Sequence, residues 1–174
     1  NVTKVFSNKN HFFLIWTNPL ATNQKIISSF PEITDYELPT LQNDETDIII
    51  YSNNYSHILV YKKLDNIKLK IWGKPEYIIN KNKLENLVNV KGIFVNDGSI
   101  LAIDSENKVK CCGKFSFFIP PGLSNNQFEE INNEIDGYQG IVSVYSNKAA
   151  YCLLDTNGTT VNLGKSDYRF SAPD

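Results

Sequence analysis

Ile48-Ile49-Ile50-Tyr51-Ser52-Asn53 and Val142-Ser143-Val144-Tyr145-Ser146-Asn147 share one form, a short apolar or alternating run that ends on Ser-Asn. Both continue alike. After Asn53 come Asn54-Tyr55-Ser56-His57-Ile58-Leu59-Val60-Tyr61, a polar turn, and Lys68-Leu69-Lys70-Ile71-Trp72-Gly73. After Asn147 come Lys148-Ala149-Ala150-Tyr151-Cys152-Leu153-Leu154, the turn Asp155-Thr156-Asn157-Gly158, and Thr160-Val161-Asn162-Leu163-Gly164. The unit reads strand, Ser-Asn turn, strand, Asn/Gly turn, strand, closing Gly. Its middle run is nearly all apolar, as in a strand covered on both faces. Asn157-Gly158 is a two-residue hairpin signal, because both residue types tolerate positive φ.

A third copy lies between these two. Val90-Lys91-Gly92-Ile93-Phe94-Val95-Asn96-Asp97-Gly98 leads into Ser99-Ile100-Leu101-Ala102-Ile103, then Asp104-Ser105-Glu106-Asn107, then Lys108-Val109-Lys110-Cys111-Cys112-Gly113. A fourth opens the chain with Val5-Phe6-Ser7-Asn8 and His11-Phe12-Phe13-Leu14-Ile15-Trp16, followed by Lys25-Ile26-Ile27. The landmarks recur about every 45 residues, the length of a propeller blade. The pattern predicts one all-β domain over 1–174 with approximate repeats at 2–34, 47–73, 88–113 and 139–164. Short helices are expected at Asn82–Leu87 and Ser124–Ile131. In the second, Ser124 and Gln127 form a capping box, and Phe128, Ile131 and Ile135 share a face. The proline-containing stretch 30–44 reads as a loop.

These residues resemble the RCC1-like repeats found in long bacterial surface and secreted proteins. Ile141–Gly164 carries the likeness best, through Ser146-Asn147, Ala149-Ala150, Leu153-Leu154, Gly158, Val161 and Gly164, and Ile48–Gly73 adds the Trp72-Gly73 ending. The resemblance implies a propeller-like array of about four antiparallel blades: a small ring, an open arc or part of a larger ring. Some family features are missing. The GQLG signature is absent, and Cys112 and Leu163 stand where the blade-ending Trp would be. A β-sandwich is the alternative architecture.

Composition narrows function more than it defines it. Lys and Arg total 17 against 19 Asp and Glu, and Arg169 is the only arginine. A phosphate-neutralising surface is therefore not expected, and nucleic acid is excluded as a partner. No apolar run reaches the length of a membrane helix. The lack of any Met is read as a sign that the chain is part of a longer polypeptide.

The three cysteines include an adjacent pair, Cys111-Cys112, which as strand neighbours point to opposite faces. At most one of the pair is therefore expected to face the core, with no disulfide between them and no metal or redox role. His11 and His57 are the only histidines. They fall at what reads as the same repeat position, the start of the middle strand, which favours packing over ligation. No nucleophile elbow is present. No cofactor or metal is implied.

The expectation is a non-catalytic recognition module of a bacterial surface or secreted protein, an adhesin or toxin component that binds a host protein or glycan outside the cell. Rigid loops on a repeated scaffold suit that role. Loop aromatics are the candidate contacts: Tyr55, Tyr77, Phe117 and Phe118. Two alternatives stay open. One is a guanine-nucleotide-exchange or GTPase-binding module, as the family's eukaryotic members imply. The other is a hydrolase with a carboxylate-based site.

Overall fold

A computed structural model describes residues 2–18, 24–113, 133 and 135–164. Twelve strands form four three-stranded antiparallel sheets, each a simple meander. The first sheet holds β1 (Val2–Ser7), β2 (Phe12–Asn18) and β3 (Gln24–Phe30). The second holds β4 (Thr46–Ser52), β5 (Ser56–Lys63) and β6 (Asn66–Gly73). The third holds β7 (Gly92–Val95), β8 (Ser99–Ile103) and β9 (Val109–Gly113), and the fourth β10 (Ile141–Ser146), β11 (Ala150–Asp155) and β12 (Thr160–Gly164). Each expected repeat is thus one sheet.

The asparagine landmarks have a common mechanism. In all four copies the Asn backbone N–H donates to the carbonyl three residues on: Asn8 to His11, Asn53 to Ser56, Asn96 to Ser99 and Asn147 to Ala150. The side-chain Oδ1 closes the same turn by accepting backbone N–H groups, from Tyr55 and Ser56 at Asn53 and from Gly98 and Ser99 at Asn96. Asn suits this place because its amide carbonyl imitates a backbone acceptor one atom out. The closing glycines answer a second constraint. A Cβ on Gly73 would sit 2.4 Å from the Tyr55 carbonyl oxygen, and one on Gly113 would sit 2.7 Å from that of Gly98. The end of the third strand therefore runs directly against the Asn turn. The pairs Ser56↔Gly73, Ser99↔Gly113 and Ala150↔Gly164 repeat this register in three sheets.

The sheets stack face to face in chain order. Phe13 and Ile15 of the first sheet pack with Ile50, Leu59 and Trp72 of the second. Ile58 and Ile71, on the other face of the second sheet, pack with Ile100, Ala102 and Cys112 of the third. Leu101, Ile103 and Cys111 then meet Tyr151, Leu153 and Leu163 of the fourth. A central sheet thus supplies two cores from alternate residues of one strand, which is why its middle strand carries an unbroken apolar run, Ile58–Tyr61 in β5 and Ile100–Ile103 in β8. This corrects the expectation for the cysteines. Cys111 and Cys112 do point to opposite faces, yet both are fully buried, because the third sheet has a neighbour on each side. All three cysteines are free.

Helix α1 (Lys81–Glu85) lies where a short helix was expected, with Leu84 buried against the second and third sheets. Its Glu85 Oε1 accepts the Ile71 N–H at 2.7 Å, on the outer edge of the second sheet. Asp136 Oδ1 accepts the Cys111 N–H, at the matching place on the third. Connecting segments thus supply carboxylates to edge-strand N–H groups that would otherwise be open to another strand. The expected helix at Ser124–Ile131 lies outside the described residues. The 30–44 stretch is irregular as expected, and its Leu41, Ile33, Tyr36 and Leu38 pack onto the core between the first two sheets.

Candidate functional site

The Asn turns of the first two sheets and the loop after β3 enclose a cleft of about 330 Å³. Its polar lining comes from Asn10, Glu32, Asp35, Asn54 and Lys74, and its aromatic lining from His11, Tyr36 and Tyr55. Tyr55 belongs to the turn that Asn53 organises, so the repeat's own hydrogen bonding fixes its backbone. Its ring stacks on Tyr77 with centroids 4.2 Å apart and planes 19° from parallel. Lys74 Nζ lies 5.9 Å from the Tyr55 ring centroid, within cation–π range.

Behind the cleft a partly buried polar chain is centred on the buried His57. Tyr36 Oη lies 2.7 Å from His57 Nε2, and His57 Nδ1 lies 3.0 Å from Ser52 Oγ. With Tyr36 donating to Nε2, Nδ1–H donates to Ser52, which suits a neutral ring. The His57 ring packs at 4.7 Å from Phe13 and 5.3 Å from Trp72. Burial and, second, the neighbouring His11 push His57 down to about 3. A histidine that weakly basic is a poor proton acceptor near neutral pH, so the Ser52–His57–Tyr36 chain has the form of a positioning network. It seats the Tyr36 side chain at the cleft wall. Burial, and then Asp35, raise the Tyr36 phenol, which keeps it a hydrogen-bond donor.

The histidines are close in space, with ring centroids 6.3 Å apart, but they are not at one repeat position. His11 closes the first Asn turn, whereas Ser56 closes the second. His57 is therefore one residue further along and corresponds to Phe12. The expected equivalence fails by one residue, and with it the argument that both share one role. His11 Nδ1 is buried with no hydrogen-bond partner among the described residues. No group of three or more His, Cys, Asp or Glu side chains that could hold a metal ion occurs among the described residues.

A second cavity, of about 340 Å³, is lined by turn residues of all four sheets: Ser7-Asn8-Lys9, Ser52-Asn53-Asn54, Asp97 and Lys148. Neighbouring turns are tied across it. Asn8 Nδ2 donates to the Asn53 carbonyl at 2.9 Å, and the Asp97 N–H donates to the Lys148 carbonyl at 3.1 Å.

Of the four aromatics expected to contact a ligand, Tyr55 and Tyr77 are brought together as a stacked, half-buried pair, with Tyr55 on the cleft. Phe117 and Phe118 lie outside the described residues. Tyr36, His11 and Lys74 were not foreseen in the site. Tyr36 sits in a loop with no periodicity to place it, and only the contact of His57 with that loop reveals it. The sequence matches no protein-family model and no curated protein.

Proposed function

We propose that this chain is a non-catalytic recognition module, of a bacterial surface or secreted protein, that binds a host macromolecule or glycan through the cleft at Tyr55. The observation that carries the reading is the cleft's lining: an aromatic ring anchored by stacking on Tyr77, facing amide, carboxylate and ammonium groups. Such a lining suits a sugar, whose apolar ring face packs on an aromatic while its hydroxyls find donors and acceptors in fixed places. The non-catalytic part is supported by His57, the imidazole behind the cleft, whose bonds to Tyr36 and Ser52 give it a positioning role.

A propeller-like arrangement is the finer reading of the architecture. Face-to-face stacking in chain order supports it, as does the meeting of the four Asn turns around one cavity. Turns gathered at one end of stacked blades offer a rigid surface for recognition.

The test is a glycan array and host-cell binding assay with the wild type and Tyr55→Ala, together with a panel of generic hydrolase substrates. Saturable binding that weakens at least tenfold in the variant, with the thermal midpoint unchanged, is the expected result. Turnover that vanishes on Glu32→Gln or Asp35→Asn would replace the binding module with the carboxylate hydrolase.

A further inference from the structure

The cavity of about 340 Å³ on which turn residues of all four sheets converge differs in kind from the Tyr55 cleft. Every described side chain on it is polar, with no aromatic or aliphatic group among them. Its volume is at the lower end of the roughly 300–1,000 Å³ of small-molecule pockets. A small pocket walled by amides, hydroxyls and charges suits a compact hydrophilic ligand rather than one with apolar surface to bury.

The repeat shows where this lining is incomplete. Asn8 and Asn53 hold equivalent places, and the Oδ1 of each accepts two backbone N–H groups of its own turn. In the first turn Nδ2 then donates to the Asn53 carbonyl, which ties the first turn to the second. The third turn is tied to the fourth through the Asp97 N–H and the Lys148 carbonyl. In the second turn the corresponding donor, Asn53 Nδ2, has no hydrogen-bond partner among the described residues, although Asn53 is only 7% exposed and lines the cavity. A buried amide donor without an acceptor is unfavourable, and native structures rarely leave one.

The charges indicate what the missing acceptor is. The residue after the landmark Asn is Lys9, Asn54, Asp97 and Lys148 in the four turns, and all four line the cavity. Lys148 Nζ lies 3.9 Å from Asp97 Oδ2, a loose pair that offsets one cation. Lys9 leaves the lining with a net positive charge. An unpartnered amide donor beside two ammonium groups and a single carboxylate favours an anion with several acceptor oxygens.

We propose that this cavity is a second binding site, for a small anion carrying a carboxylate or phosphate group, whose oxygens accept from Asn53 Nδ2 and pair with Lys9 and Lys148. The bound anion links the second turn to the first and fourth. The site is distinct from the Tyr55 cleft, with which it shares only Asn54 among the described lining residues.

The test titrates the ¹⁵N-labelled protein with glucuronate, inorganic phosphate and glucose. NMR follows the Asn53 side-chain NH₂ pair, and calorimetry gives affinities. Glucuronate or phosphate is expected to bind with 1:1 stoichiometry and to shift that pair, and the tighter of the two identifies the group as carboxylate or phosphate. Lys9→Gln and Lys148→Gln each change an exposed side chain and should weaken binding by about fivefold. Asn53→Asp keeps an acceptor for the turn but lacks the Nδ2 donor, and should weaken binding by about tenfold. Tyr55→Ala should leave it unchanged. The proposal is overturned if neither anion binds, if glucose binds as tightly as glucuronate, or if the Lys9→Gln/Lys148→Gln double variant binds at full strength. Loss of anion binding in Tyr55→Ala would place the anion in the other cleft and also overturns it. The lysine variants and the NH₂ signal decide the matter even if Asn53→Asp does not fold.

Discussion

Acid should destabilise this fold through one buried ring, His57. Its folded-state value near 3 stands against about 6.5 for a free histidine. On acidification the unfolded chain takes up the proton first, so the contribution is complete above about pH 6.5 and is lost progressively down to about pH 3. The interval, at about 1.4 kcal/mol per pH unit, corresponds to roughly 5 kcal/mol in total and to about 2 kcal/mol by pH 5. Burial against Phe13 and Trp72 and, second, the neighbouring His11 hold the ring neutral. Urea unfolding at steps between pH 7 and 5 measures the slope in a range where most carboxylates stay ionised. His57→Phe keeps an aromatic ring in the pocket. It should lower stability at pH 7, by losing the polar contacts, while flattening the slope. An identical slope in wild type and His57→Phe would refute the reasoning, as would NMR showing the ring protonated at pH 5 in the folded protein.

Two further expectations concern the repeat landmarks. Gly113→Ala should destabilise well beyond about 1 kcal/mol, because its φ is +108° and the new Cβ would meet the Gly98 carbonyl, while Gly158→Ala, at +83° with open space around it, should cost only about 1 kcal/mol; the difference between their thermal midpoints is the readout. Asn96→Ala removes the acceptor for the Gly98 and Ser99 N–H groups and the Ser99 hydroxyl in a buried turn, and should cost about 2–3 kcal/mol by denaturant unfolding, more than Asn8→Ala in the more exposed first turn.

The repeat was legible because its landmarks are local. A turn organised by one asparagine and a glycine forced by backbone contact leave marks within a few residues, whereas the two-residue hairpin expected at Asn157-Gly158 is instead a turn over 155–159 that Asp155 organises, with Gly158 alone of the two at positive φ. The third strand of the first copy, expected at Lys25-Ile26-Ile27, forms as the centre of β3. What sequence alone could not give was the environment of each strand face. Cys111 and Cys112 were read against one core because a lone strand offers no sign that sheets lie on both sides. The candidate site was half legible for a similar reason. Tyr55 lies on a landmark turn, whereas Tyr36 comes from a loop placed only by its contacts with His57 and the core. The histidines were misaligned by a residue because His-apolar runs look alike, and only the turn-closing carbonyl distinguishes His11 from His57.

The doubly buried middle strands change what keeps the pairing in register. In most sheets a one-residue slip turns apolar side chains to water, and that penalty fixes the alignment. In β8, from Ser99 to Ile103, every residue is buried, so a slip would exchange one apolar set for another at little hydrophobic cost. Alignment must then depend on features that cannot be shared between neighbouring positions: the asparagine that caps its own turn, and the glycine that alone tolerates the crossing backbone. In this chain the greasy residues provide cohesion, and the addressing falls to a handful of small polar ones. Drift among the apolar positions should therefore be well tolerated, while loss of a single Asn or Gly would leave a strand with two nearly equal ways to pair.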